Sequence, residues 1–413
     1  MKRHHTYFGT PAQWRIFALL ATLFALYCRP LAAQVFSGYV KEMPGVYVFQ
    51  KPVTLPDGED MRFSWYNLVH NRLNFAWDAV KTPHHSLSVN AGVRNRLFAG
   101  RLIAQIPQYS DVLEQDDGVA GFSYNLIRTN SCIFNTSIDR FYIDYSCKNI
   151  QIKAGRQRVN WGIGLVWNPN DIFNAFSYID FDYEERPGSD ALSLTWYRSP
   201  TSSLDAVYKI DRHPNDSLYN HTVAARYLFN SGIYDWQVIA GKCRDDAVAG
   251  FGWSGSIGQI SFRGEAAVFV PVLKPADDNK TAVSATSELD YTFTNSLYLH
   301  GAFLFTSLGT TKREGGISLL DPSGNMSAKR LSTGMFELFG NLSYPFSPIV
   351  NGGLAVIFNP ADRSAYLGPT VSVSPADNLE LSTVAQILLG KENSEYANMG
   401  NIFAGFVRLK YSF

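Results

Sequence analysis

From residue 34 onward the chain alternates apolar and polar residues with period two, and few architectures tolerate that over so long a stretch. Leu87, Val89, Ala91 and Val93 alternate with Ser88, Asn90, Gly92 and Arg94. Ile260, Phe262, Gly264, Ala266 and Val268 alternate with Ser261, Arg263 and Glu265. Val283, Ala285, Leu289, Tyr291 and Phe293 alternate with Ser284, Thr286, Glu288, Asp290 and Thr292. Successive side chains of a strand point to opposite faces, so each run is a strand with one apolar and one polar side. About eighteen such segments follow one another without a competing helical pattern. Most match the roughly 9–11 residues that a tilted strand needs to cross a bilayer.

Composition narrows the choice. Charged residues make up only 17% of the 413 residues, while 46% are hydrophobic, with 28 Phe, 22 Tyr and 8 Trp. A soluble domain carries roughly a quarter charged residues. Disorder is excluded, because the apolar surface is ample. A bundle of membrane helices is excluded as well: the one long apolar run, 16–28, falls short of the roughly 20 residues a spanning helix needs. With Lys2, Arg3 and Arg15 before that run and Leu31-Ala32-Ala33 after it, residues 1–33 read as a secretory signal peptide. Its removal takes four of the 36 basic residues and none of the 36 acidic ones, leaving a net charge near −4. No nucleic-acid partner is expected from that balance. Cys132, Cys147 and Cys243 remain, an odd number that permits at most one bridge and offers no metal spacing.

The connections alternate in length. Tight turns fall at Cys147-Lys148, Ser199-Pro200-Thr201, Asn230-Ser231, Thr294-Asn295 and Ser374-Pro375-Ala376, and longer links at 99–137, 160–188, 271–280, 307–332 and 391–401. Short turns on one side and long loops on the other are the pattern of an outer-membrane barrel. A propeller would repeat at about 40 residues, and no such period is present. The expectation is one all-β domain over 34–413. It is a transmembrane antiparallel barrel of about eighteen strands, with sixteen as the other count.

The final strand sharpens this. Val407, Leu409, Tyr411 and Phe413 share a face, with Arg408, Lys410 and Ser412 opposite, and the sequence ends on Phe413. It resembles the terminal-aromatic strand of Gram-negative outer-membrane barrels. That resemblance implies outer-membrane lipid as surroundings and the barrel-assembly machinery as a partner in biogenesis. A second resemblance lies in 138–190. Gly155-Arg156-Gln157 ends a strand, then Trp161-Gly162 and Asn168-Pro169-Asn170-Asp171 follow, as in a group of porin-like outer-membrane proteins. It implies a barrel and a channel but no particular solute.

Physically, 159–188 is too apolar for an exposed loop, and Trp161, Trp167, Asn168, Pro169 and Asp171 are the candidates for a constriction packed at or in the lumen. Strict alternation puts Arg156 and Arg158 on the lipid side with Ala154. That is costly, so the strand must end, bulge or leave the membrane there. Pinning by Glu184 and Glu185 is the plainer reading. His70 and His300 fall on polar faces as hydrated lumen histidines. Asp277-Asp278-Asn279 is an ordinary solvated loop rather than a calcium site.

The polar faces carry His70, Arg72, Arg94, Arg96, Arg140, Lys153, Arg408 and Lys410 on the first five strands and the last, with Asp144 among them. Glu265, Glu288, Asp290 and Glu337, with Arg263, face inward from strands roughly opposite. Scattered charges that neutralise one another are the plain reading, and a transverse field across a water-filled lumen is the sharper one. No catalytic cluster, metal site or cofactor is expected, and nothing in the residues sets an oligomeric state. The function expected is diffusion of small polar solutes across the outer membrane. A membrane enzyme acting on lipid or polysaccharide and a non-conducting scaffold or export barrel are the alternatives.

Overall fold

The structure, a computed structural model, describes residues 34–54, 58–106, 109–180, 188–212, 219–272, 280–313 and 326–413. The leader 1–33, Glu184, Glu185 and Asp277-Asp278-Asn279 lie outside the described residues. Nineteen strands form one sheet. The first nine are β1 Gln34–Thr54, β2 Asp60–Lys81, β3 His85–Ala99, β4 Ser123–Arg128, β5 Cys132–Cys147, β6 Ile150–Gln157, β7 Ser189–Ser199, β8 Ser202–Arg212 and β9 Tyr219–Ser231. The rest are β10 Tyr234–Cys243, β11 Asp246–Ile257, β12 Ile260–Pro271, β13 Ala282–Thr292, β14 Tyr298–Thr306, β15 Phe336–Ser347, β16 Val350–Asn359, β17 Ser364–Ala376, β18 Leu379–Leu389 and β19 Ile402–Ser412. Two short helices, α1 Arg101–Gln105 and α2 Tyr109–Glu114, lie between β3 and β4.

Eighteen of the strands close an antiparallel barrel, β1 pairing with both β2 and β19. The extra strand is β4. Along its far edge β5 pairs with β6 through Phe141–Cys147 and with β4 nearer its start, so β4 occupies the ground that the short β6 leaves open. Closure pairs each of the eighteen barrel strands on both sides, which a strand protein in lipid requires. The start of β1, the end of β19 and turns such as Lys148-Asn149, Gly232-Ile233 and Asp377-Asn378 share one end of the barrel. The long connections share the other, where Arg244-Asp245 is a tight exception.

Period two decides which face each side chain takes. Val40, Val46, Phe63, Leu192, Leu194, Val238, Leu289, Leu354, Val407 and Leu409 are exposed on the outer wall. Aromatics collect where that wall meets the turn end: Phe36 stacks on Phe413 at 6.0 Å, and Tyr291 meets Phe293 edge to face at 4.8 Å. Such belts suit rings that are apolar at one end and wet at the other. Among the described residues, Cys132, Cys147 and Cys243 are free thiols.

Candidate functional site

Inside the barrel, the chain from 158 to 180 crosses the lumen and is stitched to walls on both sides. Trp161, Val166, Trp167, Asn168, Asn170 and Asp171 are all buried. Two carboxylates serve as anchors. Glu265 on β12 accepts from the backbone N–H groups of Ile163, Gly164 (2.8 Å) and Asn170 (2.9 Å). Glu288 on β13 accepts from Leu165 (2.9 Å) and Val166 (3.2 Å). An irregular segment in a barrel has no ladder to satisfy its N–H groups, and an ionised carboxylate accepts several at once.

Further bonds complete the seam. Gln237 Nε2 on β10 donates to the Trp161 carbonyl (3.1 Å), and Asn170 Nδ2 donates to that of Phe251 on β11 (3.0 Å). Lys209 Nζ on β8 donates to Phe173 O (3.0 Å), and Gln386 Nε2 on β18 to Ile179 O (2.7 Å). Packing follows the same division. Val159, Trp161, Ile172 and Phe173 join the apolar cluster with Val207, Ile239 and Phe269. Val166, Trp167 and Ile179 join the other, with Met43, Leu304, Phe339 and Phe406.

On the turn side of Met43 and Phe406 the wall turns basic. Register sets Glu380 beside Lys410, Lys410 beside Lys41, Lys41 beside His70, His70 beside Arg96 and Arg96 beside Asn135. A second row sets Arg72 beside Arg94 and Arg94 beside Ser137. Lys41, His70 and Arg72 are buried under their neighbours, while Arg94, Arg96, Arg140, Lys153, Arg408 and Lys410 keep partial exposure. Arg72 is held by Asp139 at 2.5 Å, Arg96 by Asn135 Oδ1 at 2.9 Å, Lys153 lies 3.6 Å from Asp144, and Arg408 contacts Glu380 at 2.8 Å. The two histidines differ from expectation. His70 and His300 are both buried rather than hydrated, and His300 Nε2 lies 3.3 Å from Glu288.

The acidic residues opposite do not form a bare wall. Glu265 and Glu288 are covered by the inserted segment, and Asp290 pairs with Arg263. Glu337 lies farther toward the loops, where Ser332 Oγ (3.0 Å) and the Tyr396 hydroxyl (3.0 Å) donate to it. Glu395 shares Ser332 Oγ at 2.7 Å. Burial, with Glu337 and Glu395 adjacent, pushes the Tyr396 phenol well above its ordinary range. The basic wall thus faces wall carboxylates that the inserted segment already engages.

Sequence parity failed at Asp139 and left the surroundings of Arg156 unread. Asp139 alternates with Arg140 and so belonged outside, yet both turn inward at a bulge where Gly92 pairs with Arg140 and Val93 with Ile138. Arg156 does face outward, level with Asp190 and Phe141, but the segment 116–122 covers it. Its five N–H groups reach Asp190 (2.7 and 3.0 Å), Asp116 (2.6 Å), Ala120 O (2.9 Å) and Ile138 O (3.3 Å), and its plane lies over Phe122. Arg158 is exposed.

The closed eighteen-strand antiparallel barrel has the fold of outer-membrane porins. Among solved structures, the chain is similar to Pseudomonas aeruginosa OpdQ, with a TM-score of 0.60 and 9% identity over 93% of this chain and 99% of that one. It is similar to Pseudomonas aeruginosa OccK5 (OpdH) with a TM-score of 0.58 and 8% identity, covering 93% and 98%. Acinetobacter baumannii OccAB3 gives 0.57 and 10%, covering 93% and 100%. In sequence, no family model and no curated protein matches the chain. At such identity the likeness speaks for the fold.

Proposed function

We propose that the barrel is an outer-membrane channel for small polar solutes, with anions favoured. The observation that carries this is the registered basic row from Lys410 through Lys41 and His70 to Arg96, backed by Arg72, Arg94 and Arg408 on the inward face. Guanidinium groups stay charged at any working pH, so neighbouring arginines persist only where water, acidic partners or passing anions offset them. The porin fold of the structures it resembles supports the same reading. The outer-membrane location, the cleaved leader at 1–33 and transport as the role belong to this proposal. Purified protein in planar bilayers should give discrete conductance steps with a reversal potential displaced toward the anion potential at low salt.

One observation favours a second reading, a closed barrel. The segment 158–180 bonds to β8, β10, β11, β12, β13 and β18, so it bridges the lumen instead of lining one side. Absence of conductance in the wild type, together with conductance once Glu265 is replaced, would establish that reading.

A further inference from the structure

The outer wall is not uniformly apolar. On β11–β19 its outward positions between the strand ends carry aliphatic or aromatic side chains, glycine or proline, with Ser287 and Thr383 as hydroxyl exceptions. On β1, β2, β3 and β5 the same face carries Glu42, Asn67, Asn71, Asn95 and Thr136. Register fixes their side: Val40, exposed outside, pairs with Asn71, Asn71 with Asn95, and Asn95 with Thr136. Phe63 and Trp65 on one side of Asn67 and Asn71, and Phe75 and Trp77 on the other, put this stripe inside the apolar band of β2.

The stripe is wired together. Thr136 Oγ1 donates to Asn95 Oδ1 (3.0 Å), Asn95 Nδ2 to Asn71 Oδ1 (3.1 Å) and Asn67 Nδ2 to Glu42 Oε1 (3.0 Å). Asn67 and Asn95 each keep a second amide N–H. Glu42 accepts from one neutral amide where a carboxylate has room for about four donors. Hydrocarbon supplies no donor or acceptor, so such groups stay in this band only against protein or trapped water. Beside the stripe lies an apolar recess of about 880 Å³, where Gly405 and Ala385 leave the wall low between Trp65, Val371 and Val407.

We infer that this face docks a second copy of the chain within the membrane. A lipid chain could fill the recess but could not satisfy Glu42. A second copy can, because the patch is complementary to itself: its amides donate and accept, and its carboxylate only accepts. Among the described residues, no outward Lys or Arg sits between Trp65 and Phe75 on β2 to serve Glu42 from within. The inference rests on the membrane placement of the barrel and not on its conductance.

A photo-crosslinking residue at position 67, in cells expressing the full chain, should give a covalent product of twice the mass in which both halves are this chain. The same residue at Leu204, on the outward face of β8, should not. The triple variant E42L/N71L/N95L should keep the gel mobility and protease resistance of a folded barrel, yet run as a monomer by native mass spectrometry. Its self-association should weaken by about tenfold or more, as expected for several membrane-face hydrogen bonds lost together. The proposal is overturned by a wild type that stays monomeric at every protein-to-lipid ratio, by a crosslink from position 67 to another polypeptide, or by an oligomer unchanged in the triple variant. Recovery of the wild type in the carbonate-soluble fraction would overturn the membrane placement beneath it.

Discussion

Arg156 shows how a residue in a forbidden place is made tolerable. Gly155 before it has φ +118°, and a Cβ there would collide with the Phe141 carbonyl, so only glycine lets β6 hold this course. The strand then presents Arg156 outward, where 116–122 folds over it and every guanidinium N–H finds an oxygen. Arg156→Ala leaves Asp116 and Asp190 facing each other without a cation, and removing one partner of a buried pair costs about 3–5 kcal/mol. The variant should lose its folded gel band at a lower temperature than wild type. It should also be cut by trypsin near Arg128, whose neighbourhood the covering segment orders. Unchanged melting and cleavage would mean the segment holds without its arginine. From the sequence, the cost of an outward Arg156 was legible and its remedy was not, because Asp116 lies 40 positions away. Asp139 went unseen for a different reason. A bulge adds one residue without any marker in the period-two pattern, and the only warning was an aspartate at an apparent lipid position beside Arg140.

At the scale of elements, strands read well and the inserted segment read halfway. Alternation, turn positions and the apolar run of Trp161, Trp167 and Phe173 were all visible, because each depends on neighbours in the chain. What holds the segment was not, since Glu265 lies 101 positions from Gly164 and Glu288 lies 123 from Leu165. Both looked like lumen charges. Hydrogen bonds to a charged group are worth about 1.5–3 kcal/mol, and Gln in place of Glu265 removes the charge while keeping the size. Glu265→Gln should loosen the segment and raise single-channel conductance or its fluctuation, while Leu204→Ala, on the outward face of β8, should not. An unchanged trace would show that apolar packing of Trp161 and Trp167 is sufficient. The last strand tests the other element. Phe413 stacks on Phe36 and exchanges backbone hydrogen bonds with Gly38 at 2.8 and 2.9 Å, closing the ring at its seam. Replacing Phe413 by Ser should cut the membrane-inserted fraction severalfold in pulse-labelled cells, against little change for Ser412→Ala on the opposite face. Equal losses would make the terminal ring incidental.

For the whole molecule, the question is what the asymmetry of the lumen does to a passing ion. Basic side chains from β19, β1, β2, β3 and β5 occupy one arc, while Glu265 of β12 and Glu288 of β13 are sealed beneath 158–180. Sealing matters electrically. An acidic wall open to water would draw cations along one side as the basic wall draws anions along the other, and selectivity would be slight. With Glu265 and Glu288 engaged, the exposed excess is positive. Salt screens such a wall within about 8–10 Å at physiological strength, so its reach in a narrowed lumen is large at low salt and small at high salt. Arg94 and Arg96 are the tips to change: both keep exposure, and neither carries the buried Asp139 pairing that Arg72 does. Replacing both by Gln should leave the gel mobility of the folded barrel intact. It should shift the reversal potential toward cations by several millivolts at low salt and by little near 1 M, where the Debye length is about 3 Å. A shift that persists at high salt would point to altered pore shape instead of charge. No shift at low salt, in a protein that conducts, would place the ion path away from this wall and return the arginines to a purely structural role.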